Sequence, residues 1–192
     1  LDLGDRMRGG QWQALRLVGA LRELGHDAVL MARAGSPLQR HGQPFSIARL
    51  LSQYLRFDIV HAHDARSHSL AALLPGARLV VARRVAFPIR TGVASRWKYG
   101  RAAHFVAVSE FVRGRLLEAG IKAARISVVP DGVELPVEVA PPADPPRVIA
   151  VATSDPMKGS MLAREAAGRA GVRVHFAGGL AVELPGAFLL LY

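Results

Sequence analysis

The chain alternates short unbroken apolar runs with stretches in which apolar residues recur every three or four positions. Runs of the first kind occupy 1–3, 28–32, 58–63, 79–82, 104–108 and 126–129. Their hydrophobicity is continuous and does not alternate, which predicts strands of a parallel sheet covered on both faces. The intervening stretches 11–24, 47–55, 67–74 and 109–119 predict helices, and in the first of them Trp12, Leu15, Val18 and Leu21 share one face. Gly25 stands where a glycine closes a helix, Ser109 is placed to cap the fourth helix, and Gly120 to stop it. Strand and helix in regular succession make this an α/β chain with a Rossmann-like parallel sheet.

The rhythm breaks once. Between Leu135 and Pro146 the chain carries five prolines, at 136, 141, 142, 145 and 146, and no helical period. Such a stretch is a semi-rigid spacer. After it the pattern resumes, with strands expected at 148–152, 172–177 and 187–191 and a helix at 160–170. The division expected is therefore an N-terminal domain over 1–135, a linker over 136–146, and the beginning of a second Rossmann-like domain over 147–192.

Composition excludes several classes. The 192 residues include no cysteine, which removes disulfides and thiolate metal sites. No apolar run is long enough to cross a bilayer. The start of the chain has neither the basic flank nor the apolar stretch of a signal peptide, so a cytoplasmic protein is expected. Charge is distributed unevenly. Residues 1–136 hold 20 Lys and Arg against 10 Asp and Glu, whereas 137–192 hold five of each. From Arg78 to Arg101 there are seven basic residues and no acid. A field of this kind attracts phosphate-rich partners: nucleic acid, anionic lipid or a phosphorylated substrate. The alternative is that 22 of the 25 basic residues being Arg reflects genome composition.

Three segments could carry chemistry. In the loop from Gly4 to Gln11, Gly9 and Gly10 precede a helix, where bare amides and the helix dipole favour an anion. Neither the Walker pattern nor G-x-G-x-x-G fits, and the second strand ends in Ala32-Arg33 without the acid that grips a ribose. A plain tight turn is the competing reading. In the strand end His61-Ala62-His63-Asp64, alternation puts His61 and His63 on one face at the carboxyl edge, where open α/β sheets bind ligands. His61, nearer the strand body, is expected to be a buried and hydrogen-bonded structural residue, and His63 to meet a sugar hydroxyl or phosphate. A metal held by His61, His63, Asp64 and His68 is the other possibility, although the spacing matches no metal signature. Third, Lys158 lies just before a helix start in the second βα unit, a suitable place to meet a diphosphate.

Taken together the motifs resemble the GT-B fold glycosyltransferases, specifically the retaining family 4. That family carries a Gly-Gly loop and a long helix ending in Leu-x-x-x-Gly-His, here Gly9-Gly10 and Leu21 to His26. Its Asp-Ile/Val-Val-His-x-His is matched by Asp58 to His63, its Val-Ser-Glu helix start by Val108-Ser109-Glu110, its Ile-x-Val-Val/Ile-Pro-Asn/Asp-Gly-Val by Ile126 to Val133, and its Lys-Gly by Lys158-Gly159. The run Ser95 to Tyr99 is similar to branches working on cell-surface glycans.

The resemblance implies transfer of a sugar from a nucleotide-diphosphate sugar to an acceptor, with retention and with no metal or other cofactor. A cell-envelope glycan such as lipopolysaccharide, or a glycolipid, is the acceptor expected. It also implies that Gly9 and Gly10 border the diphosphate, that His63 contacts the transferred sugar, and that Lys158 neutralises the leaving nucleoside diphosphate. Arg66, Arg83 and Arg84 are assigned to the acceptor side from their charge and not from any family rule. Two departures stand out. Many members carry Arg five or six residues before the lysine, where this chain has Thr153 and Ala152. The paired glutamates seven residues apart that hold the donor would fall beyond Tyr192, so the chain as given is expected to be inactive alone. Partners expected are a nucleotide sugar, the acceptor and an anionic membrane surface on the inner face of the cytoplasmic membrane, with no nucleic acid. The rival readings are a metal-dependent hydrolase on His61, His63 and His68, and a noncatalytic nucleic-acid-binding module.

Overall fold

The computed structural model of the chain describes residues 1–90, 92–133, 141, 147–151, 159–177 and 187–191, the side chains of 147, 151 and 187–191 excepted. Parallel strands dominate both units into which the chain divides, Leu1–Val133 and Glu134–Tyr192. In the first unit, β1 (Met31–Ala32) pairs with β2 (Gln43–Pro44), while β3 (Val60–Ala62), β4 (Leu79–Arg83), β5 (Ala102–Ala107) and β6 (Ile126–Val128) lie side by side in chain order. Every pairing is parallel.

Residues 1–3 join these two groups into one surface. Asp2 forms a parallel bridge with Ala32. On the other edge, the His63 N–H donates to the Leu1 carbonyl at 3.0 Å. The spatial order is thus β2, β1, residues 1–3, β3, β4, β5, β6. From residues 1–3 the chain builds outward through β1 and β2, then returns to the opposite side at β3. Between residues 1–3 and β3, therefore, the connections leave in opposite directions. This is a topological switch point, the place where α/β sheets bind ligands beyond their carboxyl ends.

The helices form where the pattern predicts, with shifted ends. The first, α1 (Gly9–Glu23), begins two residues earlier than expected, so Gly9 and Gly10 lie in its first turn and not in a loop before it. It closes as foreseen at Gly25: with φ at 85°, this residue lets the His26 N–H reach the Leu21 carbonyl and its own N–H reach that of Arg22. Next come α2 (Ile47–Gln53) and α3 (Ala65–Ala71). The segment Val93–Arg101 forms α4, which the pattern did not predict because Tyr99 is its one buried residue and no apolar stripe marks it. In α5 (Glu110–Glu118), Ser109 Oγ accepts from the Val112 N–H, as a cap should.

The larger core lies between the sheet and α3, α4 and α5, and a smaller one gathers Val18 of α1 with Leu30, Ala32 and Leu38. Phe105, Leu79 and Leu116 are fully buried in the larger one. The Tyr99 ring stacks on Phe105 with centroids 5.6 Å apart, and His68 meets Tyr99 edge-on at 4.9 Å. An aromatic side chain in such a core is worth about 3–5 kcal/mol against truncation to Ala. The second unit holds β7 (Arg147–Val151) between β8 (Val174–Ala177) and β9 (Ala187–Leu191), with α6 (Ser160–Arg169) joining β7 to β8. The linker expected over 136–146 falls outside the described residues except at Pro141.

Burying His68 has a consequence for stability. Its pKa is lowered from 6.5 to about 4, first by burial and then by the positive charges of Lys98 and Arg83. Between those values the unfolded chain binds a proton that the folded ring refuses, so stability is lost as pH falls through the window. Urea unfolding should show the midpoint dropping between about pH 7 and about pH 5. His68→Gln, which keeps an N–H for the Lys98 carbonyl but does not titrate, should make that slope shallower, the remainder coming from His61 and His63, whose pKa values burial also holds below 6.5.

Candidate functional site

The switch point is organised by two carboxylates. Asp2 is fully buried. Its Oδ1 accepts the Gly4 N–H at 2.8 Å, and the Gln11 Nε2 amide donates to both oxygens at 3.0 and 3.1 Å. Gln11 also takes the Arg8 N–H on Oε1, so one side chain ties the start of α1 to the strand behind it. Space is tight: a Cβ on Gly4 would stand 2.5 Å from Gln11 Nε2 and 3.0 Å from Asp2 Oδ1. Gly4 is therefore the glycine of this loop that close approach demands, whereas a Cβ on Gly9 would meet nothing within 4 Å.

The second carboxylate is Asp64. Its Oδ1 accepts the N–H groups of Arg66 and Ser67, capping α3. Its Oδ2 takes the Leu3 N–H at 2.6 Å and the Ser67 hydroxyl. All its acceptor capacity serves the fold, which removes it from the candidate metal set. The cap also explains why α3 starts at Ala65 and not at the expected residue 67.

His63 stands just before this cap. Its Nδ1 lies 3.2 Å from Arg84 Nη1. A guanidinium only donates, so Nδ1 must accept and the proton sits on Nε2. The pKa of His63 is held well below 6.5, by burial first and by the neighbouring His61 and Arg84 among other charges. The ring is therefore a neutral donor at Nε2. His61 lies against it, ring centroids 4.2 Å apart. The expectation that His61 is hydrogen-bonded is not met on Nε2, which is buried without a partner.

Arg84 connects this histidine to two further elements. Its Nε donates to Asp131 Oδ1 at 3.0 Å. Its Cδ is also the atom that a Cβ on Gly10 would approach, at 3.9 Å. The next residue, Gly132, accepts from Gln13 Nε2 at 2.7 Å, so the Pro130-Asp131-Gly132 segment after β6 rests on α1. At the head of α1, the first intrahelical bond runs from the Trp12 N–H to the Arg8 carbonyl. The N–H groups of Gly9, Gly10 and Gln11 precede it and have no helical partner, and the first turn holds no acid to meet the dipole.

The structure thus brings together Gly9, Gly10, His63 and Arg84 from the expected set. Arg83 is separate: its Nη2 donates to the Phe87 carbonyl, while its Nε is buried without a partner. Arg66 is exposed, and its guanidinium makes no bond among the described residues. Lys158 lies outside the described residues. His68 serves the core and turns its Nε2 to the Lys98 carbonyl at 3.3 Å. Among the described residues, no group of three or more His, Asp or Glu could hold a metal ion. Sequence reasoning missed Asp2, Gln11 and Asp131. An acid between two leucines of a strand was the available signal for Asp2, and Asp64 three residues before Ser67 was the signal for the cap.

A Rossmann-like sheet with a glycine-rich helix start, a histidine and an arginine at its switch point defines a class of ligand-binding α/β enzymes. Comparison with known proteins makes this narrower. The model of Glycosyltransferase Family 4 matches residues 35–136, more than half of the chain, and the chain belongs to that family. No curated protein matches it in sequence. Among solved structures, HepE of Anabaena in complex with UDP is similar with a TM-score of 0.73 at 13% identity, over 98% of this chain and 71% of HepE. HepE with UDP and glucose gives 0.69 at 14% identity, over 95% and 62% of the respective chains. The apo form of WaaB, a lipopolysaccharide outer core galactosyltransferase, gives 0.62 at 15%, over 98% and 71%. The fold is that of the GT-B glycosyltransferases, and the protein is a glycosyltransferase.

The tautomer of His63 is open to direct measurement. In 15N spectra the native ring should be neutral with its proton on Nε2. Arg84→Met removes the donor at Nδ1 and should give a mixture of tautomers. A native ring protonated on Nδ1 would contradict the Arg84 contact.

Proposed function

We propose that this glycosyltransferase moves a sugar from a nucleoside-diphosphate sugar to a cell-envelope glycan or glycolipid, with retention at the anomeric carbon, working at an anionic membrane surface. The observation that carries this reading is the convergence at one switch point of three amides without helical partners, a guanidinium and a neutral imidazole that donates from Nε2. Such a set suits a ligand rich in oxygen and negative charge. The amides of Gly9, Gly10 and Gln11 and the Arg84 guanidinium suit phosphate oxygens. His63 suits a sugar oxygen, because a neutral ring donates there without adding charge.

The chemistry follows from where charge develops. As the bond from the anomeric carbon to the diphosphate lengthens, positive charge grows on the sugar and negative charge on the leaving oxygens. Fixed donors aimed at those oxygens lower the barrier because they need no reorganisation. A cationic imidazole beside the sugar would oppose the growing positive charge, so the depressed pKa of His63 suits its role. In this reading Lys158 neutralises the departing diphosphate, and Arg66 and Arg83 line the acceptor side. HepE has been solved with UDP-glucose, which supports a nucleotide-sugar donor.

Full-length protein screened against a panel of nucleotide sugars should bind one by calorimetry and transfer its sugar. His63→Ala should lower kcat by about a hundredfold or more in protein whose circular dichroism shows it still folded. Undiminished transfer by that variant, or no binding of any nucleotide sugar, would overturn the reading.

A further inference from the structure

From Asp64 to Glu110 the chain has no acidic residue and eight basic ones between. The structure sorts these. Arg83 and Arg101 donate to main-chain carbonyls, Arg84 to Asp131 and His63, and Lys98 to Ser69 Oγ. Arg90 and Arg96, in contrast, are exposed and bond nothing among the described residues. They therefore carry charge that the fold does not use.

The same segment leaves large apolar groups in water. Phe87 is 66% exposed, Val93 87% and Trp97 49%. On α4, positions 93, 96, 97 and 100 share one helix face, and all four are exposed. The same helix buries Tyr99, and Arg101 ties it down through the Ala72 and Leu74 carbonyls. The outer face thus combines Val93 and Trp97 with Arg96. Residues 84–90 follow β4 from its carboxyl end, where Arg84 meets His63, and α4 starts at Val93. A Trp, a Phe and a Val flanked by free arginines, with no acid in the segment, match a surface that is apolar just beneath a layer of phosphates.

We propose that residues 84–90 and the outer face of α4 dock on an anionic lipid bilayer, with Phe87, Val93 and Trp97 entering the headgroup region and Arg90 and Arg96 meeting lipid phosphates. The proposal rests on the reading that the protein works at a membrane, and it names the surface that does so. It also accounts for a lipid-borne acceptor reaching the switch point, since the docking segment starts at Arg84. Each arginine contributes about fivefold to partitioning at low salt, and the contribution fades as salt screens it.

The chain has two tryptophans, so full-length protein carrying Trp12→Phe and lacking any other tryptophan by substitution reports Trp97 alone. With vesicles of equal parts phosphatidylglycerol and phosphatidylcholine, its emission should shift to the blue and be quenched by brominated lipid. Phosphatidylcholine vesicles should leave it unchanged. Arg90→Glu with Arg96→Glu should weaken partitioning by at least about tenfold, and Phe87→Ser with Val93→Ser should also weaken it, with circular dichroism unchanged. Both pairs should transfer sugar to a short water-soluble acceptor at the native rate, so loss of docking and loss of transfer are read separately. No response of Trp97 to anionic vesicles, or binding indifferent to these substitutions, would overturn the proposal. So would sedimentation showing that the face joins two copies of the chain and that the substitutions separate them.

Discussion

Four donors converge on the carboxylate of Asp64: the N–H groups of Leu3, Arg66 and Ser67, and the Ser67 hydroxyl. The site depends on this convergence. Parallel strands are held laterally by their ladders, but at a switch point the connections leave in opposite directions and nothing in the ladder spans the gap beyond the last pair. Asp64 spans it. Oδ1 serves the first turn of α3 and Oδ2 serves both residues 1–3 and the Ser67 hydroxyl, and each N–H it satisfies would otherwise be left without a partner at a helix or strand end. Bonds to a charged acceptor are worth about 1.5–3 kcal/mol each, so the carboxylate is a large contributor to local stability.

The other parts of the site are positioned from this point. His63 precedes Asp64, so the cap fixes where the imidazole emerges. Across the gap, Asp2 and Gln11 do for α1 what Asp64 does for α3, bringing the head of that helix to the same edge of the sheet. Arg84 arrives from the end of β4 and Asp131 from beyond β6. The guanidinium bonds both His63 and Asp131. Partly exposed ion pairs such as Arg84 with Asp131 contribute at most about 1 kcal/mol to stability. Its importance is orientation, because holding the guanidinium against Nδ1 assigns the imidazole proton to Nε2. Four separate elements thus meet at one end of one sheet, and the family to which the chain belongs gives that meeting its chemistry.

The sheet and most helices were legible in the sequence, because continuous apolar runs and the caps at Gly25 and Ser109 are local signals. Helix α4 was not, since its single buried residue, Tyr99, packs on Phe105 and His68 from distant elements. The histidine pair was legible as a pair and misread in detail. Alternation put His61 and His63 on one face, but nothing local shows that His61 Nε2 is buried without a partner. Charge alone grouped Arg83 with Arg84, and the fold separates them, one bonding its own loop and the other reaching the site. Sequence alone leaves Asp64 open as a metal ligand because the group that employs it, the Leu3 amide, lies 61 positions away in the chain.

If Asp64 acts by holding His63 in place, the two residues must be coupled in catalysis. The measurement that bears on this most directly is a double-mutant cycle in the full-length enzyme, reading kcat/KM for Asp64→Ala, His63→Ala and both together. Coupling should exceed about 1 kcal/mol, because once the imidazole is gone the loss of the latch has little left to misplace. Effects that add to within about 0.5 kcal/mol would contradict it and would leave Asp64 as a helix cap alone.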